Sequence, residues 1–179
     1  MIATRLISRP VVLLAGVLAL SGCEVLEEVG VITLQPATVE MSFRFSNTLT
    51  GITREVTSEE TLSLDDVLAD NQYTREEVVS ARVTSARIRI TTPFQETLEA
   101  LSDIEVALQS TQRGPDIVAT LTDSPDAKEA TMNPSGRAIG AYVEGGPFQG
   151  VLSLVGAKDV DEDFLVFVTL TVEIDVEGF

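Results

Sequence analysis

From Val39 the chain alternates apolar and polar residues: Val39, Met41, Phe43 and Phe45 share one parity, and Glu40, Ser42, Arg44 and Ser46 share the other. A period of two is that of a strand with one face in a core and the other in water. The period returns over Ile104, Val106 and Leu108, over Ile117, Ala119 and Leu121, and over a long closing run of Val166, Val168, Leu170, Val172, Ile174 and Val176. At the start of that last run Leu165 and Phe167 fill the opposite parity as well, which predicts a strand covered on both faces there. Another strand is predicted around Val83 to Thr91.

The helical signals are short. Thr74 and Glu77 have the spacing of a capping box, flanked by Tyr73 and Val78 as a hydrophobic staple, so one or two turns are predicted before the strand at Val83. Ser63 is placed to cap a brief helix over Leu64, Val67 and Leu68 that ends near Asn71. Thr57 and Glu60 match the same box, but the TLSL after them does not continue a helix, so none is predicted. Ile139, Tyr142 and Val143 have helical spacing with Gly145 as a stop, while Gly136 and Gly140 leave a strand as the runner-up. Phe94, Leu98 and Leu101, in the connection after the Val83 strand, are predicted to cover the core.

Eight or so strands separated by turn signals such as NPSG (133–136) and EGGP (144–147), with no strand–helix alternation, predict an all-β fold. The expectation is an antiparallel immunoglobulin-like β-sandwich with one to three short helices in its connections, spanning residues 31–179.

The N-terminal residues obey different rules. Arg5 and Arg9 precede ten apolar residues, Val11 to Leu20, and Ser21-Gly22-Cys23 come next. A membrane-crossing helix needs roughly 20 apolar residues, twice this length, so the run reads as the core of a signal peptide. Leu20-Ser21-Gly22-Cys23 resembles the bacterial lipobox. That resemblance implies cleavage before Cys23, lipidation of its thiol, and a division into a signal peptide (1–22), a lipidated tether (23–30) and the folded domain. It further implies a cell-envelope protein, anchored to but not spanning a membrane, and Glu24 in place of Asp after the cysteine favours the outer membrane. Several acyl chains, at ~0.8 kcal/mol per buried methylene, hold a protein stably where one would not. The whole resembles the acidic all-β lipoproteins of bacteria.

Charge narrows the list of partners. The chain has 28 acidic and 12 basic residues, a net charge of -16. Loss of Arg5 and Arg9 with the signal peptide would carry this to about -18 by direct count. Such a field repels polyanions, so nucleic acid is excluded as a partner and a protein of the envelope is expected instead. Only two of the twelve basic residues are lysines, Lys128 and Lys158.

Chemistry is sparse. The chain has no histidine and no tryptophan, and its single cysteine is the one in the lipobox. This removes Ser-His-Asp and Cys-His catalysis and histidine-based metal sites. Asp159, Asp161 and Asp163 alternate in KDVDEDF as oxygen ligands do in calcium loops, which makes calcium the one cofactor with a candidate site. Phe164 and Leu170 stand where an EF-hand would have Gly and Glu, and an acidic turn explains the run as well. Arg87 and Arg89 share a strand face and form a candidate anion patch, or else pair across the sheet with acids such as Glu105. The expectation is a non-catalytic binding, assembly or structural module. The alternatives are a carrier of an apolar ligand between the sheets and a carboxylate-dependent hydrolase.

Overall fold

A computed structural model describes residues 30–178. Nine strands make up most of it: β1 (Val31–Thr33), β2 (Ala37–Thr48), β3 (Thr53–Thr57), β4 (Val78–Thr92), β5 (Leu101–Gln109), β6 (Asp116–Leu121), β7 (Glu129–Pro134), β8 (Gln149–Gly156) and β9 (Val160–Glu177). Two short helices, α1 (Asp65–Asp70) and α2 (Gly140–Glu144), lie in connections, as do 3₁₀ turns at Arg75–Glu77 and Leu98–Ala100. The fold is all-β, and each pair of neighbouring strands is antiparallel.

The strand order runs β2-β9-β4-β7 and continues β6-β5-β8-β3, with β1 lying beyond β2 on the same side of β9. The two halves are joined through β7, whose Glu129–Met132 pair with β4 while Asn133 and Pro134 pair with β6. Most connections therefore pass from one half to the other. This is the order of a jelly roll, and it corrects the immunoglobulin-like expectation, in which strands would be grouped ABED and CFG. The physical reason lies in the connections. Those joining β3 to β4 and β7 to β8 are long enough to cross the sandwich and carry their own helices, whereas a tight hairpin would keep consecutive strands in one sheet.

The predicted inward faces of β2, β5 and β9 are buried, with Met41, Phe43, Ile104, Val106, Leu108, Phe164, Val166, Val168 and Ile174 fully enclosed. On β6 Ala119 and Leu121 are buried as expected, but Ile117 is exposed and Val118 is buried in its stead. A register shift between Val106 and Ala107 of β5 accompanies this, and one extra residue in a ladder exchanges the faces of all residues beyond it. β4 contains three such shifts along its pairing with β9; across the second, the buried set passes from Ala81 and Val83 to Ala86, Ile88 and Ile90.

The core is one continuous cluster reaching from Leu34 to Val176. Phe45 and Phe164, cross-strand neighbours, stack with ring centroids 5.0 Å apart. Gly150 on β8 faces Met41 and Phe43 of β2, so close that a Cβ there would collide with both side chains. Opposite β7, the remaining edges meet in a seam. The Glu59 N–H donates to the Ser42 carbonyl (3.0 Å), and the Glu60 carboxylate accepts from the Ser42 N–H (3.0 Å) and hydroxyl (2.7 Å). These bonds hold the Glu60 carboxyl below the usual carboxylate range, the Ser42 hydroxyl first among the causes. Thr57 and Glu60 thus form no capping box; Glu60 caps the edge of β2, a service an exposed strand edge needs.

Candidate functional site

The register of β9 assigns each connection to one of two ends. Val31 pairs with Glu177 and Val78 with Val176, so the described chain begins at the same end as the connections bearing α1 and α2. Thr48 pairs with Val160, and Thr92 with Leu165, which puts the β2–β3, β4–β5 and β8–β9 connections at the far end.

At the near end the sequence signals for local turns are obeyed. The Ser63 hydroxyl accepts from the Asp65 N–H (3.1 Å), α1 runs over Val67 and Leu68, and Asn71 closes it. Glu77 accepts from the Thr74 N–H (2.7 Å) and hydroxyl (2.8 Å), completing the capping box. Arg75, fixed by that turn, forms an ion pair with Asp65. The Arg75 hydrogen bond holds the Asp65 carboxyl below its ordinary value, with Ser63 adding to the effect. The guanidinium also lies against Gly146, whose φ of 94° and lack of a side chain both suit glycine; a Cβ there would sit 2.7 Å from Nη1. Asp65, Leu68, Tyr73, Thr74, Arg75 and Glu76 line an open surface pocket of about 490 Å³. Beneath α2, the buried Tyr142 hydroxyl is 2.7 Å from the Gly114 carbonyl and 3.1 Å from Asp116 Oδ2, and burial foremost pushes the phenol upward. The one arginine in the pocket is already bonded to a carboxylate. The arrangement fastens three connections to one another and offers no paired nucleophile and base.

The far end is stitched by a run of polar contacts between connections. Asp159 Oδ1 accepts from the Thr50 N–H (2.6 Å) and hydroxyl (2.9 Å), and these bonds hold the Asp159 carboxyl below its ordinary value. Lys158 donates to Glu99 (2.8 Å), the Thr97 hydroxyl to Asp126 (3.0 Å), and Lys128 to the Phe94 carbonyl. The Lys128 ammonium also lies 3.9 Å from the centroid of the Phe94 ring. That ring is 82% exposed, while Leu98 and Leu101 are buried, so Phe94 does not cover the core as expected. The reason is local: Leu98 and Ala100 of the 3₁₀ turn fill the space under the connection.

The predicted site residues separate. Cys23 lies outside the described residues. Asp159 is engaged by Thr50, while Asp161 and Asp163 are exposed at the start of β9, and among the described residues no group of three or more acidic side chains is gathered as a metal site. Asp161 and Asp163 lie on β9, which spreads their carboxylates along a line, while Asp159 precedes the strand and is held by Thr50. Arg87 pairs with Glu129 (3.1 Å) rather than Glu105, because β4 neighbours β7 and not β5. Arg89 lies over Phe167 of β9, 5.3 Å from the ring centroid. Both cations of the anion-patch candidate therefore have partners within the sheet. The exposed Phe94 and its lysine carried no sequence signal, since the two are 34 positions apart.

No protein-family model and no curated protein matches the chain. Among solved structures it is similar to the decameric BFDV capsid protein, at TM-score 0.34 and 12% identity over 81% of this chain and 99% of that one. It is also similar to desmodium yellow mottle tymovirus, at TM-score 0.25 and 14% identity over 82% and 91%. Likeness at this level bears on neither activity nor partner, and the jelly-roll assignment rests on the strand order alone.

Proposed function

We propose that this is a lipid-anchored protein of the bacterial cell envelope, tethered at Cys23 to the outer membrane, whose β-sandwich is a non-catalytic binding, assembly or structural module. The observation that favours the module over a carrier is the close approach of the two halves: Met41 and Phe43 of β2 lie against Gly150 of β8, where a Cβ would collide with the Met41 sulfur and stand 2.9 Å from Phe43 Cζ. Such an approach supports a core packed without a ligand between the sheets, since a void would forfeit the contacts that hold them. Leu20-Ser21-Gly22-Cys23 supports the anchor, and the net charge of -16 supports a protein rather than a polyanion as partner.

Intact-mass measurement on the membrane fraction of the native host tests the anchor. A mature chain starting at an acylated Cys23 is expected, and a retained Met1 or an unmodified thiol would overturn it. Native mass spectrometry of the acyl-free domain, purified without detergent, tests the module. An empty domain is expected, whereas a stoichiometric lipid surviving purification would make the protein a carrier.

A further inference from the structure

We propose that the far end of the sandwich is a docking surface for a cationic protein partner, with the Phe94 ring as its apolar anchor; the proposal rests on the reading that the chain is tethered at Cys23. Position is the first argument. The seven residues between Cys23 and Val31 reach roughly 25 Å at most, and they join the domain at the end where β9 finishes. The 18 residues of β9 put the opposite end about 55 Å away. A tethered domain standing on its near end therefore presents the far end to whatever faces the membrane across the envelope.

The second argument is the surface itself. Phe94 is 82% exposed, and Leu49 and Ile52, in the β2–β3 connection at the same end, are each about half exposed. Exposed rings of this kind are unfavourable in water and serve as interface anchors when they are rigidly presented. Phe94 is so presented, since its carbonyl is bonded to Lys128 and its connection is stitched to the neighbouring ones through Thr97 and Glu99. Little ordering remains to be lost on binding.

The third argument is charge. The far-end connections carry Glu96, Glu99, Asp123, Asp126 and Asp159, against Lys128 and Lys158. Both lysines, the only two in the chain, are already engaged within the rim. What remains for a partner is negative charge around an exposed aromatic ring over which Lys128 already lies, and that charge attracts arginine and lysine through ion pairing. A second copy of the chain, with the same excess of acid, is repelled, and so is an anionic lipid headgroup.

The test uses the full chain in its native host, with the photoreactive residue p-benzoylphenylalanine in place of Phe94 or, as a control, of Val79, which is half exposed at the near end. Crosslinking through position 94 is expected to give a discrete adduct with another protein, mapped by mass spectrometry to a basic stretch, and position 79 is not. The adduct should fall several-fold when sodium chloride rises from about 0.1 to about 0.5 M, which shortens the reach of charge. It should fall again in the Glu96→Gln, Asp123→Asn double variant, whose thermal melt shows that it is folded. An adduct with a second copy, with lipid or with an acidic stretch, a yield indifferent to salt, or no adduct at all would each overturn the proposal. Membrane fractionation of the same cells reports on the tether separately. A soluble chain with a free Cys23 thiol would sink the anchor while leaving the crosslinking result to decide the interface.

Discussion

The two ends of the sandwich are closed by different means. At the near end, the long β3–β4 and β7–β8 connections fold into helices that bury Leu68, Tyr142 and Val143, so part of the core continues into the connections. At the far end the connections are shorter. There the core reaches past the Phe45–Phe164 stack only into the short turn bearing Leu98 and Ala100, and hydrogen bonds and ion pairs along the rim fix the loops. Apolar closure is worth more per residue than exposed polar stitching, because rim bonds merely replace bonds to water. The far end therefore has a stable base and a modestly held but ordered rim.

The sharpest way to break this comparison is to remove the base of the far end. Phe164→Ala should cost about 3–5 kcal/mol in urea unfolding, because a fully buried ring and its stacking partner are both lost. A loss under about 1 kcal/mol would mean that the stack is no part of the core. Next in size is Gly156→Ala. A Cβ at Gly156 would run into the Leu49 backbone, which cannot step aside, so overpacking of about 1–3 kcal/mol is expected. At Gly150 the obstacles are the ends of the Met41 and Phe43 side chains, and Gly150→Ala should cost less by the same assay if those side chains give way.

Tyr142→Phe sharpens the other side of the comparison. It removes the hydroxyl between Gly114 and Asp116 but keeps the buried ring, so about 0.5–1.5 kcal/mol is expected, well below the loss at Phe164. The smallest effect is the pH dependence of the rim. Asp159 has its folded pKa depressed by the Thr50 N–H and hydroxyl, so the stability it contributes is present above the unfolded value near ~3.9 and is lost as pH falls through the folded one. The same sign holds at the near end for Asp65, depressed by Arg75. Melting temperatures from pH 7 downward should therefore begin to fall near about pH 4, and Asp159→Asn should flatten that fall. An unchanged slope in Asp159→Asn would mean that the Thr50 contact contributes nothing to the rim.

Particular residues mark how much of the fold and of the site was legible in the chain. The inward faces of β2, β5 and β9, the capping box at Thr74 and Glu77, and the brief helices at Leu68 and Tyr142 all arise from signals spanning at most a few turns or one strand. The errors lie where a second segment intervenes. Ile117 was displaced by a register shift with β5, Arg87 met Glu129 because β7 and not β5 lies beside β4, and Asp159 was taken by Thr50, 109 positions earlier.

The sequence by itself determined the all-β character, the parity of the principal strands, the acidic field and the lipobox-like start, because periodicity, composition and short motifs are properties of neighbouring residues. Only the tertiary structure decided which strands lie side by side, and with that the jelly-roll order, the partners of the arginines and the exposure of Phe94. Alternation fixes which face of a strand is apolar but is indifferent to which other apolar face covers it. That choice is made by long connections and bulges, whose energies depend on contacts between residues far apart in the chain.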